Sequence, residues 1–186
     1  GVSSSSRYKS SILSALTTTQ ADLDTATKNF LLAEMQNSNA DLAHGAAFAL
    51  GSAMQHSGDD ASTAINAIQQ AWAQQKNNEA EKLVLLDVMG NSGNINFISD
   101  IQATIDSDAN SIVRAKAVFA LRFMPASSMA TQLLVMSLND RDILVRQAAA
   151  GAMQLATWTE AFRNPLQNCA NSEQVGAIQS TCEAVL

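Results

Sequence analysis

Four segments of this chain read as one helix written repeatedly: 42–50 (Leu-Ala-His-Gly-Ala-Ala-Phe-Ala-Leu), 81–89 (Glu-Lys-Leu-Val-Leu-Leu-Asp-Val-Met), 113–121 (Val-Arg-Ala-Lys-Ala-Val-Phe-Ala-Leu) and 145–153 (Val-Arg-Gln-Ala-Ala-Ala-Gly-Ala-Met). Their starts lie 39, 32 and 32 residues apart, and a degenerate fifth copy opens 30 residues later at Val175. A period in this range belongs to stacked helical hairpins, because a short helix pair buries its apolar face only against its neighbours. The apolar spacing supports this. Val113, Ala117, Ala120, Leu121 and Met124 follow i, i+4, i+7, i+8, i+11, as do Leu42, Ala46, Ala49, Leu50 and Ala53, and Val145, Ala149, Ala152, Met153 and Ala156. Each set is one helix face, kept small so that the next hairpin can approach closely.

The expected fold is therefore all-α, an α-α superhelix of about four to five hairpins preceded by N-terminal capping helices. The caps are two weakly patterned segments, 11–18 and 21–36; the second places Leu23, Ala26, Phe30 and Ala33 on one stripe. First helices are expected at 61–75, 95–105, 127–138 and 157–168. Residues 1–7 read as a linker or tag remnant, and the chain as a piece of a longer protein. Residues 8–186 form one domain, with 8–39 as cap, 40–156 as regular repeats and 157–186 as a degenerate terminal repeat.

Local punctuation fits that division. Gly90-Asn-Ser-Gly93 ends a helix with residues that tolerate a left-handed backbone, and Pro125 marks the start of the next. Thr157 and Glu160 have the spacing of a capping box. Pro165 falls inside the predicted 157–168 helix and is expected to kink or split it.

Composition narrows the function. Only 15% of the 186 residues are charged, whereas Ser, Thr, Asn and Gln number 59. The net charge is −6, and the 11 Lys and Arg form no run, so nucleic acid is not an expected partner. No apolar stretch reaches the roughly 18 to 20 residues of a membrane span. Low lysine, a neutral polar surface and few cysteines favour a secreted or periplasmic setting over the cytoplasm.

Chemistry is sparse. His44 and His56 are the only histidines; the first flanks the apolar stripe and the second ends a helix, where a histidine meets the dipole favourably. No nucleophile, base and orienting group converge, and no phosphate loop is present. Asp106, Asp108 and Asn110 mimic the first half of a calcium loop, but Ser111 and Ala117 stand where Gly and Glu are required; acidic helix entries account for them. Asp59 and Asp60 read as an exposed linker. No catalytic residue, metal site or cofactor is assigned.

Cys169 and Cys182 leave two readings open, a disulfide or two buried thiols. With the last hairpin turning near Asn171, Cys169 lies beside the turn and Cys182 about three helical turns beyond it. At roughly 1.5 Å per residue that is too far for a bridge unless the final pair is irregular. Among the aromatics most belong to the core. Trp72, set in Gln-Gln-Ala-Trp-Ala-Gln-Gln, together with Phe97 and Trp158, are the candidate anchors for a partner.

Two turns carry a sharper signature. Asp108-Ala-Asn-Ser-Ile-Val-Arg114 and Asp140-Arg-Asp-Ile-Leu-Val-Arg146 resemble the Asp-x-x-x-x-Val-Arg entry to the second helix of HEAT repeats. The resemblance implies a HEAT-like solenoid in which Asp108, Arg114, Asp140 and Arg146 link neighbouring repeats. The first two units depart from it, with His44 and Gly45 in one and Glu81 and Lys82 in the other. The order of Ala49-Leu-Gly-Ser52, Glu81 to Gly93 and Ala120-Leu-Arg122 also resembles the helical domain of the large lipid transfer proteins, the vitellogenin and microsomal triglyceride transfer group. That likeness implies a helical shell handling lipid beside β-sheets that this sequence does not contain.

The expected function is accordingly a non-enzymatic helical-repeat module that binds a protein partner or another domain of its parent chain. The alternative is the shell of a lipid-transfer protein.

Overall fold

The computed structural model describes residues 4–17, 24–56, 61–75 and 78–186. Among them the secondary structure is helical throughout, with no strand. In chain order the helices are α1 (Ser4–Thr17), α2 (Thr25–Glu34), α3 (Ala40–His56), α4 (Ser62–Gln74), α5 (Glu79–Ser92), α6 (Ile98–Ser107), α7 (Ser111–Ala120), α8 (Ser128–Ser137), α9 (Ile143–Leu155), α10 (Arg163–Ser172) and α11 (Gly176–Val185). Short 3-10 turns cover Ile95–Phe97, Leu121–Phe123 and Glu160–Phe162. No described helix is long and apolar enough to cross a membrane.

The helices start where side chains can accept their unpaired N–H groups. Asp24 accepts from the Thr27 amide at 2.7 Å, Asn110 from Ile112 at 2.9 Å, Ser127 from Ala130 at 3.2 Å and Asp142 from Leu144 at 2.9 Å. Each such cap stabilises its helix by about 1 kcal/mol. Gly93, directly after α5, has φ +59°. A side chain there would be strained and would also press its Cβ to within 2.6 Å of the Phe123 carbonyl oxygen, so only glycine suits this turn.

The chain forms two compact units, Gly1–Ser92 and Gly93–Leu186, where the sequence pattern suggested a single domain. In the first, α3 lies between α1 and α5, with α2 against α3 and α4 against α5. In the second, α9 lies between α7 and α11, with α6, α8 and α10 against α7, α9 and α11 respectively. Each unit is thus a set of antiparallel hairpins in two layers. The small-residue stripe is the core: Leu42, Ala46, Ala49 and Leu50 of α3, Val113 and Ala117 of α7, and Val145, Ala149 and Ala152 of α9 are all at most 5% exposed. Small side chains let helix backbones approach, as at Gly51 of α3, where an added Cβ would stand 2.8 Å from the Val88 carbonyl oxygen of α5.

Several sequence expectations need correction. Residues 4–7 belong to α1 rather than to a linker. The segment taken as a second cap contains α2, which packs on α3 as the first helix of a hairpin. The fifth second helix, α11, starts 33 residues after α9, so buried Ile178 rather than Val175 takes the place of Val145. Pro165 does split its segment: it sits at the third position of α10, where no intrahelical N–H bond is required, behind the 3-10 turn at Glu160–Phe162. The capping box does not form: the 3-10 turn starts behind Thr159 rather than Thr157, and the Glu160 carboxylate pairs with Arg163 at 2.9 and 3.1 Å. Leu23, Asp59, Asp60 and the His56 side chain lie outside the described residues.

Candidate functional site

Three features of these units can bear function: a polar ladder through the turns, an apolar groove on the α7/α9 face, and a second groove between α8 and α10.

The ladder begins with the turn before each second helix. The Asp108 carboxylate accepts from the Asn110 amide at 2.9 Å, Asp140 from the Asp142 amide at 2.8 Å and Glu173 from the Val175 amide at 3.0 Å. Six residues after the first two acids stand Arg114 and Arg146. Each donates to the carbonyl oxygen of its own turn, Asp108 or Asp140, at 3.1 Å. Each then reaches the acid of the next turn. Arg114 Nη2 lies 3.4 Å from Asp140 Oδ1, and Arg146 makes a two-pronged pair with Glu173 at 2.8 and 3.2 Å. The Asp108, Arg114, Asp140 and Arg146 set is therefore one chain of contacts, continued by Glu173, which sequence reading did not include. The twofold hydrogen bond from Arg146 holds the Glu173 carboxyl below the ordinary glutamate value, and Glu173 in turn raises Arg146. The Leu144 amide that it caps is the main cause holding Asp142 below the ordinary aspartate value.

The ladder stops at α11, where Gln179 stands in the arginine position and donates to the Ala170 carbonyl at 2.8 Å. The first unit fills the same role differently. His44 Nε2 on α3 lies 3.0 Å from both carboxylate oxygens of Glu81 on α5. Lys9 pairs with Glu34, which also accepts from Asn37 at 2.8 Å. The signal that could have extended the pattern is Asn37-x-Asn39: Asn37 accepts from the Asn39 amide at 2.9 Å and Asn39 from Asp41 at 3.0 Å, the same double turn built from amides instead of acids.

The apolar groove lies on the outer face of the second-helix layer. Ile112, Ala115 and Phe119 of α7 face Leu144, Ala148 and Gly151 of α9 across about 530 Å³, and Lys116, Gln147, Gln154 and Thr181 also line the groove. Ile112 is 52% exposed and Leu144 43%, so both are large apolar side chains held in water. The corresponding face of the first unit is more polar, with Ser10, Ser14, Asp41, Ser52 and Asn91 around Leu13, Gly45 and Phe48. Helix register makes the contrast direct: Asp41, Ile112 and Leu144 are each the second residue of their helix.

The predicted anchors do not gather there. Phe97 is wholly buried, because it closes the 3-10 turn that starts the α6 segment and points into the core, so it is a packing residue. Trp72 on α4 is half-buried. Trp158 is 38% exposed, edge-on to buried Phe162 at 6.1 Å and beneath the Arg163 guanidinium at 5.9 Å. Trp72 belongs to the first unit, and Phe97 and Trp158 to the second. Sequence periodicity separates buried from exposed positions on a helix, but it did not single out Ile112 and Leu144, which flank the stripe residues Val113 and Val145.

Cys169 and Cys182 are joined by a disulfide, with Cα atoms 6.0 Å apart. The turn falls at residues 173–175 rather than at Asn171, which puts the two cysteines about one helical turn out of step instead of three. The bridge ties α10 to α11 beneath the second groove, about 530 Å³, which opens between α8 and α10 beside the Arg146–Glu173 pair.

No family model matches this chain, and no curated protein matches it either.

Proposed function

We propose that the chain is a HEAT-like α-solenoid that binds a protein partner, or another domain of its parent chain, through the apolar groove of α7 and α9. The observation that carries this reading is the pair of rows Ile112/Ala115/Phe119 and Leu144/Ala148/Gly151, which keep Ile112 and Leu144 in water on a face whose counterpart in the first unit is more polar. Solvent-held apolar rows interspersed with polar groups are a common make-up of an interaction site. Two parallel rows one helix spacing apart suit the apolar stripe of a partner helix, with Gly151 giving room for close approach. Support for the solenoid is the common hairpin order, the 32- and 33-residue intervals and the Asp–Arg ladder.

The reading is tested by affinity capture from the source with the wild-type chain and with Ile112→Asp/Leu144→Asp. These side chains already stand in water, so the variant is expected to fold. The partner should be lost from the variant and retained by Asp41→Ala. Because the groove is mainly apolar, binding should change little between low and moderate salt. A partner retained by the double variant, or lost on adding salt, contradicts the proposal. Native mass spectrometry of the captured material separates the alternative, since a lipid adduct released on denaturation would mark a lipid shell.

A further inference from the structure

We infer that the Cys169–Cys182 disulfide is a thiol-exchange site, entered at Cys169 from the α8/α10 groove by a small thiol of the glutathione class, and that exchange there frees the terminal hairpin.

The two sulfurs are placed unequally. Cys169 lines the groove, whose walls include Val135 and Leu138 on one side and Pro165 on the other, with Arg146 and Glu173 at one end. Cys182 is wholly buried on α11 and does not line it. A nucleophile must approach along the S–S axis from behind the sulfur it attacks, and of the two cysteines only Cys169, 9% exposed, lines a space large enough for a small thiol. In the step itself the external thiolate bonds to Cys169 Sγ while the S–S bond breaks. The electron pair leaves on Cys182 Sγ, which takes up the proton that the incoming thiol released. A second thiol then attacks the external sulfur of the mixed disulfide, leaves Cys169 as a thiol and departs as oxidised disulfide. Two electrons pass from the external thiols to the protein.

The consequence follows from how α10 is held. It packs chiefly on α11 and on the Glu160–Phe162 turn. Further ties are the Gln179 side chain, which donates to the Ala170 carbonyl, and the intervening turn, where Glu173 pairs with Arg146. Breaking the bridge removes the one covalent link across this hairpin and places a free thiol in the core at Cys182. Helices α7 and α9 pack most heavily on each other, and of the residues lining their apolar groove only Thr181 belongs to the terminal hairpin. The inference does not rest on the proposed binding face, which α11 touches at Thr181 alone.

The test uses the oxidised full chain with reduced glutathione and no denaturant, quenched in acid, alkylated with N-ethylmaleimide and mapped by peptide mass spectrometry. Glutathione is expected on Cys169 with maleimide on Cys182, and hydrogen exchange is expected to rise in 163–186 while 111–155 keeps its protection. Glutathione on Cys182 to an equal or greater extent, no adduct until the whole chain unfolds, or simultaneous loss of protection in 111–155 would each overturn the inference. As a second readout, the lone thiol of Cys182→Ser should react with a soluble disulfide reagent about tenfold or more faster than that of Cys169→Ser; equal rates would also overturn it.

Discussion

The two halves of this protein stack similar helices by different means. In the first, α3 and α5 meet backbone to backbone at Gly51, and a half-exposed histidine–glutamate pair spans the same two helices. In the second, Gly151 leaves room for a side chain, the nearest atom to an added Cβ being Phe119 Cε2 at 3.9 Å. There the hairpins are joined by arginines that reach from turn to turn, and the last hairpin by a disulfide. The corresponding faces differ in parallel, the first unit's being the more polar and the second's the more apolar. Order that comes from close packing restricts what a face can become. Order that comes from polar links at the turns leaves the helix faces free, and here one of them carries Ile112 and Leu144.

This comparison can be broken most sharply at the two glycines. Gly51→Ala forces a Cβ against the Val88 carbonyl and should lower stability by about 2 to 3 kcal/mol, the range of overpacked cores. Gly151→Ala meets only ordinary contact and should raise stability by about 0.5 to 1 kcal/mol through helix propensity. Chemical denaturation read separately by Trp72 and Trp158, one in each unit, in Trp158→Phe and Trp72→Phe backgrounds, would show which half responds. Equal effects at the two glycines would erase the distinction.

A smaller effect is expected from the ladder. Arg146→Ala leaves Glu173 without its two-pronged partner and should cost about 1 to 2 kcal/mol, since the pair is only partly shielded from water. His44→Ala, in a more exposed pair, should cost less than about 1 kcal/mol. The same denaturation curves check both, and a larger loss at His44 would reverse the ranking.

Smaller still is the response to acid. The Glu173 carboxyl is held below the ordinary value of 4.5, chiefly by Arg146, and Glu34 likewise, chiefly by Lys9. A lowered carboxyl contributes stability that is fully present above 4.5 and is lost as pH falls through its folded-state value. Denaturation midpoints should therefore drop below pH 4.5 in both units. Glu173→Gln should flatten that drop for the second unit alone, as read by Trp158; an unchanged slope would remove the ladder from the account.

Much of the fold was legible in the sequence because the second helices share one demand, a small apolar stripe, and Leu42, Val113 and Val145 meet it at matching positions. What escaped was set by other physics. Helix α2 was read as a cap because its turn uses Asn37 and Asn39, which cap as well as aspartate does but lack the Asp–Arg signature. The fifth repeat was placed three residues short because Val175 imitates Val145, whereas burial selects Ile178. The disulfide reading was left open because its geometry depends on a turn displaced by only a few residues. The site was least legible. Phe97 as an anchor and Ile112 as an unremarked flank were decided by helix rotation of a single residue, which composition does not report.

The central claim, that the binding face lies on α7 and α9 and not on the corresponding face of the first unit, is tested most directly by photocrosslinking. A photoreactive amino acid placed at Ala115 in one sample and at Ser52 in another would be activated in extracts of the source. A discrete partner adduct from Ala115 and none from Ser52 is the result predicted. An adduct from Ser52 alone, or from neither position, would contradict the account.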